Sequence, residues 1–347
     1  MDTMISVVIP LYNGGDRILH ALRELDAQTF EGGYEVLVVD DKSTDDSLET
    51  VRAGIETLAH PERFRVIASP ENGRAGKARN TGVQEAGGEY ILFLDQDDYP
   101  DREMLQALYD LTEDGKIDCA ACDIMDRDGN AYHRAAAGRI PRMEDADRNR
   151  ILGGGYGYVF AQLIRRKILL EKELFFPEKV MFEDVLYNYG IIGSIGSMNS
   201  TDRVLYYRDD DENSQTASFT VRKMQDRVKA AQWYYRKYSE TAELQPCMGV
   251  IRREALYYIY LSCVSWAIHY RELYDPEFFR YCIEEGRKIP ADWDAVMREE
   301  KRFSTGEKKM LKAIYDHPGT AKLFLACGHI GAKGRGAIKR VKRMVRK

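Results

Sequence analysis

Tyr90-Ile91-Leu92-Phe93-Leu94-Asp95-Gln96-Asp97-Asp98 decides how this chain is read: five apolar residues run into three carboxylates within four positions. A continuous apolar run of that length, stopped by a polar turn, is the pattern of a strand buried on both faces. Such strands belong to parallel sheets covered by helices, where ligands bind outside the carboxyl ends. In extended backbone, Asp95 and Asp97 would leave from the same face and converge on one cation. Crowded carboxylates repel one another unless a cation neutralises them. Hard divalent ions such as Mg²⁺ or Mn²⁺ take oxygen ligands and commonly share them with phosphates. A lone D-x-D is equally compatible with an Asp-rich turn, so the surrounding pattern has to decide.

Working outward, four more apolar, β-branched runs occupy residues 5–10, 35–39, 65–68 and 118–122. Segments with helical spacing lie between them: Ile18, Leu22 and Leu25, then Leu48, Val51, Ile55 and Leu58. Ser43 with Asp46 reads as a capping box for the second of these helices. Strand and helix in alternation predict βαβ units, hence a mostly parallel sheet flanked by helices. The unusual residues follow the strands, as that architecture requires: Pro10-Leu11-Tyr12-Asn13, Asp40-Asp41, the cationic 72–82 segment and Asp95-Gln96-Asp97-Asp98. A carboxylate at Asp41 suits a nucleobase N–H or a ribose hydroxyl, and equally a turn or helix cap. Residues 72–80, with three cations, glycines and an expected helix start, suit a diphosphate and equally a solvated turn. Residues 127–150 read as a loop or edge region, and 221–315 as helical with many tyrosines, including Tyr234, Tyr235, Tyr257, Tyr258 and Tyr260, expected to pack between helices. The expected organisation is a catalytic α/β domain over 1–218, a helical region over 219–330 and a basic tail over 331–347.

Composition narrows the function classes. At 347 residues and 44% hydrophobic, the chain can bury a sizeable core. No stretch approaches the roughly 18 apolar residues of a membrane span, and no leader pattern opens it, which predicts a cytoplasmic protein. Six scattered cysteines do not form a disulfide framework. Cys119 and Cys122 form a C-x-x-C within a strand pattern, but no second Cys or His pair lies at zinc-finger spacing, and the six isolated histidines are assigned to no metal. Eight basic residues and no acid lie in 333–347, so residues 1–332 carry −5 − 8 = −13. An acidic body with a basic tail is ill suited to nucleic acid. Ala337, Ile338, Val341, Met344 and Val345 would form one stripe of a basic amphipathic helix, which reads as a contact with an anionic membrane surface or as a solvated terminus.

Four motifs together carry a family resemblance: Ser6-Val7-Val8-Ile9-Pro10-Leu11-Tyr12-Asn13, Val38-Val39-Asp40-Asp41-Lys42-Ser43-Thr44-Asp45, residues 72–82 around Ala78-Arg79-Asn80, and Phe93-Leu94-Asp95-Gln96-Asp97-Asp98. In their order and at these element boundaries the chain resembles the family 2 glycosyltransferases of GT-A fold. The resemblance spans about residues 4–125 and returns at Phe176-Pro177-Glu178 and Met181-Phe182-Glu183-Asp184-Val185. Lys42 stands where the family often has glycine or asparagine. The resemblance implies that Pro10, Tyr12 and Asp41 hold the nucleobase, with Asp41 on its imide N–H. It places Arg79 near the base or diphosphate, Asp95 at the ribose or metal shell, and Asp97 on a Mn²⁺ or Mg²⁺ ion. It makes Asp184 the catalytic base, with Glu183 orienting the acceptor or Asp184 itself, although a helix N-terminal acidic pair looks the same in sequence. Arg208 would reach the donor phosphates from the segment that follows Tyr206-Tyr207, and residues 153–158 would form an acceptor-side loop or a simple flexible turn.

The implied activity is inverting transfer of a sugar from a nucleoside diphosphate donor, UDP-linked foremost, to a glycan or other polyol in surface polysaccharide or cell-wall assembly. A sugar-nucleotide-binding module without turnover is the alternative. A nucleotidyltransferase fits less well, because residues 11–15 lack that class's glycine-rich, Arg-containing loop after the first strand.

Overall fold

The structure is a computed structural model and describes residues 3–132, 138–154, 158–209 and 220–331. Among the described residues nine strands form one sheet: β1 (Thr3–Leu11), β2 (Gly33–Asp40), β3 (Phe64–Ala68), β4 (Tyr90–Phe93), β5 (Tyr99–Pro100), β6 (Cys119–Asp126), β7 (Ala131–Tyr132), β8 (Gln162–Arg165) and β9 (Met198–Arg208). Their order is β3-β2-β1-β4-β8-β6-β9-β5, with β7 on β6. β3, β2, β1 and β4 are parallel, which is the half the alternating sequence pattern foretells. Beyond β4 the sheet is mixed: β8 runs antiparallel to both β4 and β6, while β9 is parallel to β6. Pairing Leu11 with Asp40 and Val8 with Phe93 brings the carboxyl ends of β1, β2 and β4 to one edge. The chain leaves β1 on both sides there, and such a switch point opens a crevice for a ligand.

Helices α1 (Ile18–Asp26), α2 (Ser47–Glu56), α3 (Arg74–Glu85), α4 (Met104–Asp110), α5 (Asp145–Gly153), α6 (Arg166–Glu171) and α7 (Tyr187–Ser194) flank the sheet. Ile18, Ala21, Leu22 and Leu25 are the buried stripe of α1, as their spacing predicts. α3 lies close on β1: a Cβ at Gly82 would collide with the Val8 side chain, and one at Gly76 with the Pro177 carbonyl. Only the absence of a side chain at both positions allows that approach.

Three local readings are corrected. Ser43 and Asp46 form no capping box. α2 starts at Ser47, and Asp46 occupies the N-cap without a side-chain bond. Ser43 Oγ instead accepts from the Asn13 N–H at 3.1 Å, and Asp45 accepts from the Ser47 N–H, also at 3.1 Å. The 95–98 segment is a turn closed by Asp98 N–H on the Asp95 carbonyl at 3.1 Å, so strand alternation does not set the directions of Asp95 and Asp97. Residues 127–150 are not all loop. They supply the edge strand β7 and the start of α5, whose capping box is Glu144 with Asp147.

The described residues divide into two compact units, 3–209 with 241–247 and 220–240 with 248–331. The second is helical: α8 (Val221–Glu240), α9 (Met248–Leu256), α10 (Ser262–His269), α11 (Pro276–Arg287), α12 (Trp293–Glu299), α13 (Thr305–Asp316) and α14 (Ala321–Gly331), with a π-helical turn at Tyr257–Leu261. Tyr234, Tyr257 and Tyr260 are buried in its core, and Tyr260 donates to the Leu311 carbonyl at 2.6 Å. A buried ion cluster ties its far end, where Arg302 bonds both Glu254 oxygens at 2.8 and 2.9 Å and lies 3.4 Å over the Tyr257 ring. Cys119, Cys122, Cys247, Cys263 and Cys282 are buried and in no disulfide. Among the described residues no helix is long and apolar enough to cross a membrane.

Candidate active site

At the end of β1, Pro10 is buried and Tyr12 half-buried. The Tyr12 backbone is gripped from the acidic turn: Gln96 Oε1 accepts its N–H at 2.9 Å, and Gln96 Nε2 donates to its carbonyl at 3.4 Å. Asn13 follows in left-handed backbone, φ 48°, and its Oδ1 accepts from the Thr44 N–H at 2.9 Å. Segments 10–13, 41–44 and 95–98 are thereby held as one surface. Asp41, at the end of β2, is buried; its Oδ1 accepts from the Gly73 N–H at 2.8 Å. Its other oxygen, Oδ2, is buried with no hydrogen-bond partner among the described residues. Burial outweighs the Gly73 and Arg74 amides and raises the Asp41 pKa. An orphaned acceptor of this kind costs free energy until a donor reaches it, and the N–H of a uracil-type base is such a donor. Lys42 beside it is left-handed, φ 61°, a backbone region that glycine and asparagine enter most readily.

α3 joins this region to a second cluster. Its Arg79 is buried, Nη2 donating to Asp95 Oδ1 at 2.7 Å and Nη1 to Glu183 Oε1. The guanidinium, expected near base or diphosphate, thus bridges two carboxylates and stacks 5.4 Å from the Phe176 ring centre. The next residue, Asn80, clasps the Phe176 backbone, donating to its carbonyl at 2.9 Å and accepting its N–H at 2.8 Å. This clasp, with Gly76 against Pro177, carries the 176–184 segment onto α3. Phe182 then turns left-handed, φ 59°, a strained conformation for an aromatic residue, and delivers Glu183 and Asp184 into the cluster. Burial, then the Glu183 charge, push the Asp184 pKa up to about 7 against the opposing pull of Arg79. Asp95 adds to that repulsion. A carboxylate poised there can exchange a proton near neutrality.

The third side comes from β9. Asp98 is buried; it accepts from Tyr206 Oη at 2.7 Å and from the Asp209 N–H at 3.0 Å. Tyr206 Oη in turn accepts from the Asp95 N–H at 3.3 Å. Burial, then the Asp95 and Asp97 charges, hold the Asp98 carboxyl well above its ordinary range. The carboxylates of the turn thus repel one another, Asp95 being paired with Arg79, and a cation beside Asp95 and Asp97 would relieve that repulsion. Among the described residues no group of three or more His, Cys, Asp or Glu side chains is placed to hold a metal ion. The Arg208 guanidinium lies 5.5 Å from the Tyr158 ring centre and 5.7 Å from that of Phe160, on the same side as Asp98. Residues 155–157, the 210–219 segment and the 333–347 tail lie outside the described residues.

Asp41, Arg79, Asp95, Glu183 and Asp184 are thus brought together through α3, with Asp97 in the adjoining turn. Sequence reading missed the supporting groups Gln96, Asn80, Asp98 and Tyr206. The third acid of the turn was visible as a signal for Asp98. Nothing in the sequence marks Tyr206 as its partner.

Comparison with known proteins places this geometry. Residues 6–171 match the family model described as glycosyl transferase family 2. GlyG of Streptococcus pneumoniae is 33% identical over 135 residues, 38% of this chain and 44% of GlyG. EpsJ of Bacillus subtilis, an uncharacterised glycosyltransferase, is 29% identical over 224 residues, 62% of this chain and 64% of EpsJ. The chain therefore spans less than two thirds of either relative. The Staphylococcus aureus poly(ribitol-phosphate) beta-N-acetylglucosaminyltransferase TarS is 27% identical over 222 residues, 62% of this chain and 37% of that protein. The crystal structure of TarS 1-349 in complex with UDP-GlcNAc superposes with a TM-score of 0.69 at 19% identity, covering 91% of this chain and 92% of that one. The fold is the GT-A glycosyltransferase fold. Over residues 6–171 the chain is thus similar to glycosyl transferase family 2.

Proposed function

We propose that this protein is an inverting glycosyltransferase that moves a sugar from a nucleoside diphosphate donor to a hydroxyl of a glycan or polyol acceptor. UDP-sugars are the donors the site suits best, and surface polysaccharide or cell-wall glycan is the setting. The observation that carries the reading is Asp184, its carboxyl raised to about 7, set against the Arg79 bridge between Asp95 and Glu183. Inversion requires a base opposite the leaving diphosphate to take the acceptor proton as the anomeric carbon is attacked. Asp184 fills that role, and Glu183, held by Arg79, orients it. Asp41 Oδ2 receives the base N–H, and Pro10 and Tyr12 line the base. Arg208 faces the diphosphate. TarS supports the donor and acceptor classes through its name and its UDP-GlcNAc complex.

Asp97, with Asp95, would hold Mn²⁺ or Mg²⁺. When bound, the ion neutralises charge on the departing diphosphate. The expected outcome for Asp97→Ala is loss of divalent-dependent donor binding in calorimetry with the melting temperature kept. Donor affinity equal to wild type would remove Asp97 from the site.

The test of the reaction is release of nucleoside diphosphate from a panel of nucleotide sugars with Mn²⁺. Asp184→Asn should cut the rate by about 10²-fold or more while donor still binds. Donor binding without release by the wild-type protein would instead support a non-catalytic sugar-nucleotide module. Full activity in Asp184→Asn would reassign the base.

A further inference from the structure

Helix α8 of the second unit carries a surface with no part in the site described. Its inner side packs Met224, Val228, Ala231, Tyr234 and Tyr238 into the helical core. Its outer side presents Arg222, Lys229 and Arg236 to solvent at intervals of seven residues. Seven residues are close to two helical turns, so the three cations stand in line about 10.5 Å apart, over about 21 Å. Trp233 lies in the same line, 37% exposed, with the Lys237 ammonium 5.2 Å from its ring centre. Tyr281 of α11, 39% exposed, adjoins it by donating to Gln232 Oε1 at 2.9 Å. These are two of the three large apolar side chains left exposed among the described residues, the third being Leu323. Along the line the first exposed acid is Glu240, at the helix end; Asp226, 3.6 Å from Lys229, is buried. Glu284 and Glu285 belong to the neighbouring α11.

Regularly spaced cations match a partner with regularly spaced anions, and an exposed indole matches the C–H face of a polyol or sugar. The net −13 over residues 1–332 comes from the first unit, which would repel a polyanion, whereas residues 248–331 balance 13 cations against 12 acids, so that α8 carries the excess positive charge of its own unit. A bilayer would call for a broader apolar face than one indole and one phenol. We propose that the outer face of α8 binds the acceptor as a chain: a polyol-phosphate polymer whose phosphates pair with Arg222, Lys229 and Arg236 and whose carbon backbone lies on Trp233. This rests on the reading above that the acceptor is a glycan or polyol, and it adds that the acceptor is polymeric and anionic. The stripe raises the local concentration of acceptor and leaves the chemistry to Asp184.

The experiment compares the full chain with a Lys229→Glu/Arg236→Glu variant and with Trp233→Ala. The probes are phosphodiester-linked ribitol oligomers, single ribitol phosphate and phosphatidylglycerol vesicles. The double variant should bind the oligomer roughly 10-fold or more weakly, with the slope of log affinity against log salt reduced by about two. Trp233→Ala should weaken it several-fold at unchanged salt slope. KM for the oligomer should rise by the same factors while kcat, and turnover on single ribitol phosphate, stay as in wild type. Oligomer affinity unchanged in both variants overturns the proposal, as does a loss confined to vesicles, which would assign the stripe to a membrane. If charge reversal lowers the melting temperature, Lys229→Gln with Arg236→Gln gives the same comparison without it. Absence of nucleoside diphosphate release with every acceptor would sink the transferase reading alone, since the binding isotherms stand apart from turnover.

Discussion

Asp184 couples activity to stability with opposite signs. Its folded pKa of about 7 lies above the ordinary aspartate value, so between about pH 4 and 7 the folded state keeps a proton that the unfolded chain releases. Stability from this group is present at low pH and is lost as pH rises through that window. Catalysis by the ionised base grows over the same range. The rate at saturating donor should therefore climb as pH passes 7. Asp184→Asn should lack this limb and melt about 2 °C or more above wild type at pH 8, as calorimetry would read. A variant that melts lower would contradict the half-buried, repelled carboxylate at this position. Tyr206 shows the complementary case. Its hydroxyl satisfies both Asp98 Oδ2 and the Asp95 N–H, so Tyr206→Phe strands two polar groups and should cost about 1–3 kcal/mol in denaturant unfolding. Donor affinity should fall with it, because the acidic turn loses its hold on β9.

At the level of elements, α3 organises the site. It meets Asp41 through Gly73, Asp95 and Glu183 through Arg79, and Phe176 through Asn80. Its position depends on how closely it lies on β1, where a methyl at Gly82 has no room beside Val8. Gly82→Ala should destabilise by about 1–3 kcal/mol through overpacking, and should slow transfer more than that loss alone explains, since Arg79 moves with the helix. Activity per folded molecule equal to wild type would refute the coupling. Much of this unit was legible beforehand: the apolar runs of β1, β2 and β4 and the acids after them appear where buried strands must end. The antiparallel insertion of β8 was not, because Gln162–Arg165 is a short run whose pairing on both sides depends on chain far away in sequence. α5 was missed for a different reason. Its composition is polar, and its start rests on a Glu144 cap rather than on apolar periodicity.

Across the whole molecule, charge is the organising quantity. An acidic body with eight cations in 333–347 would suit attachment of that tail to an anionic surface. Removing 333–347 should abolish salt-sensitive co-sedimentation with phosphatidylglycerol vesicles and leave donor turnover in solution intact. Equal sedimentation of the truncated protein would show the tail to be an ordinary solvated terminus.

Residue type and spacing by themselves determined the parallel half of the sheet and the edge at which the acids after β2 and β4 gather, while Asp184 was singled out only through the family resemblance. Strand burial and turn chemistry are local, and local pattern records them. Tertiary structure alone decided that Arg79 bridges Asp95 and Glu183, that Asp98 is held by Tyr206, and that Asp184 titrates near neutrality. Those properties arise when groups 16, 104 and 108 positions apart meet out of water, and desolvation acts on neighbours in space rather than neighbours in chain.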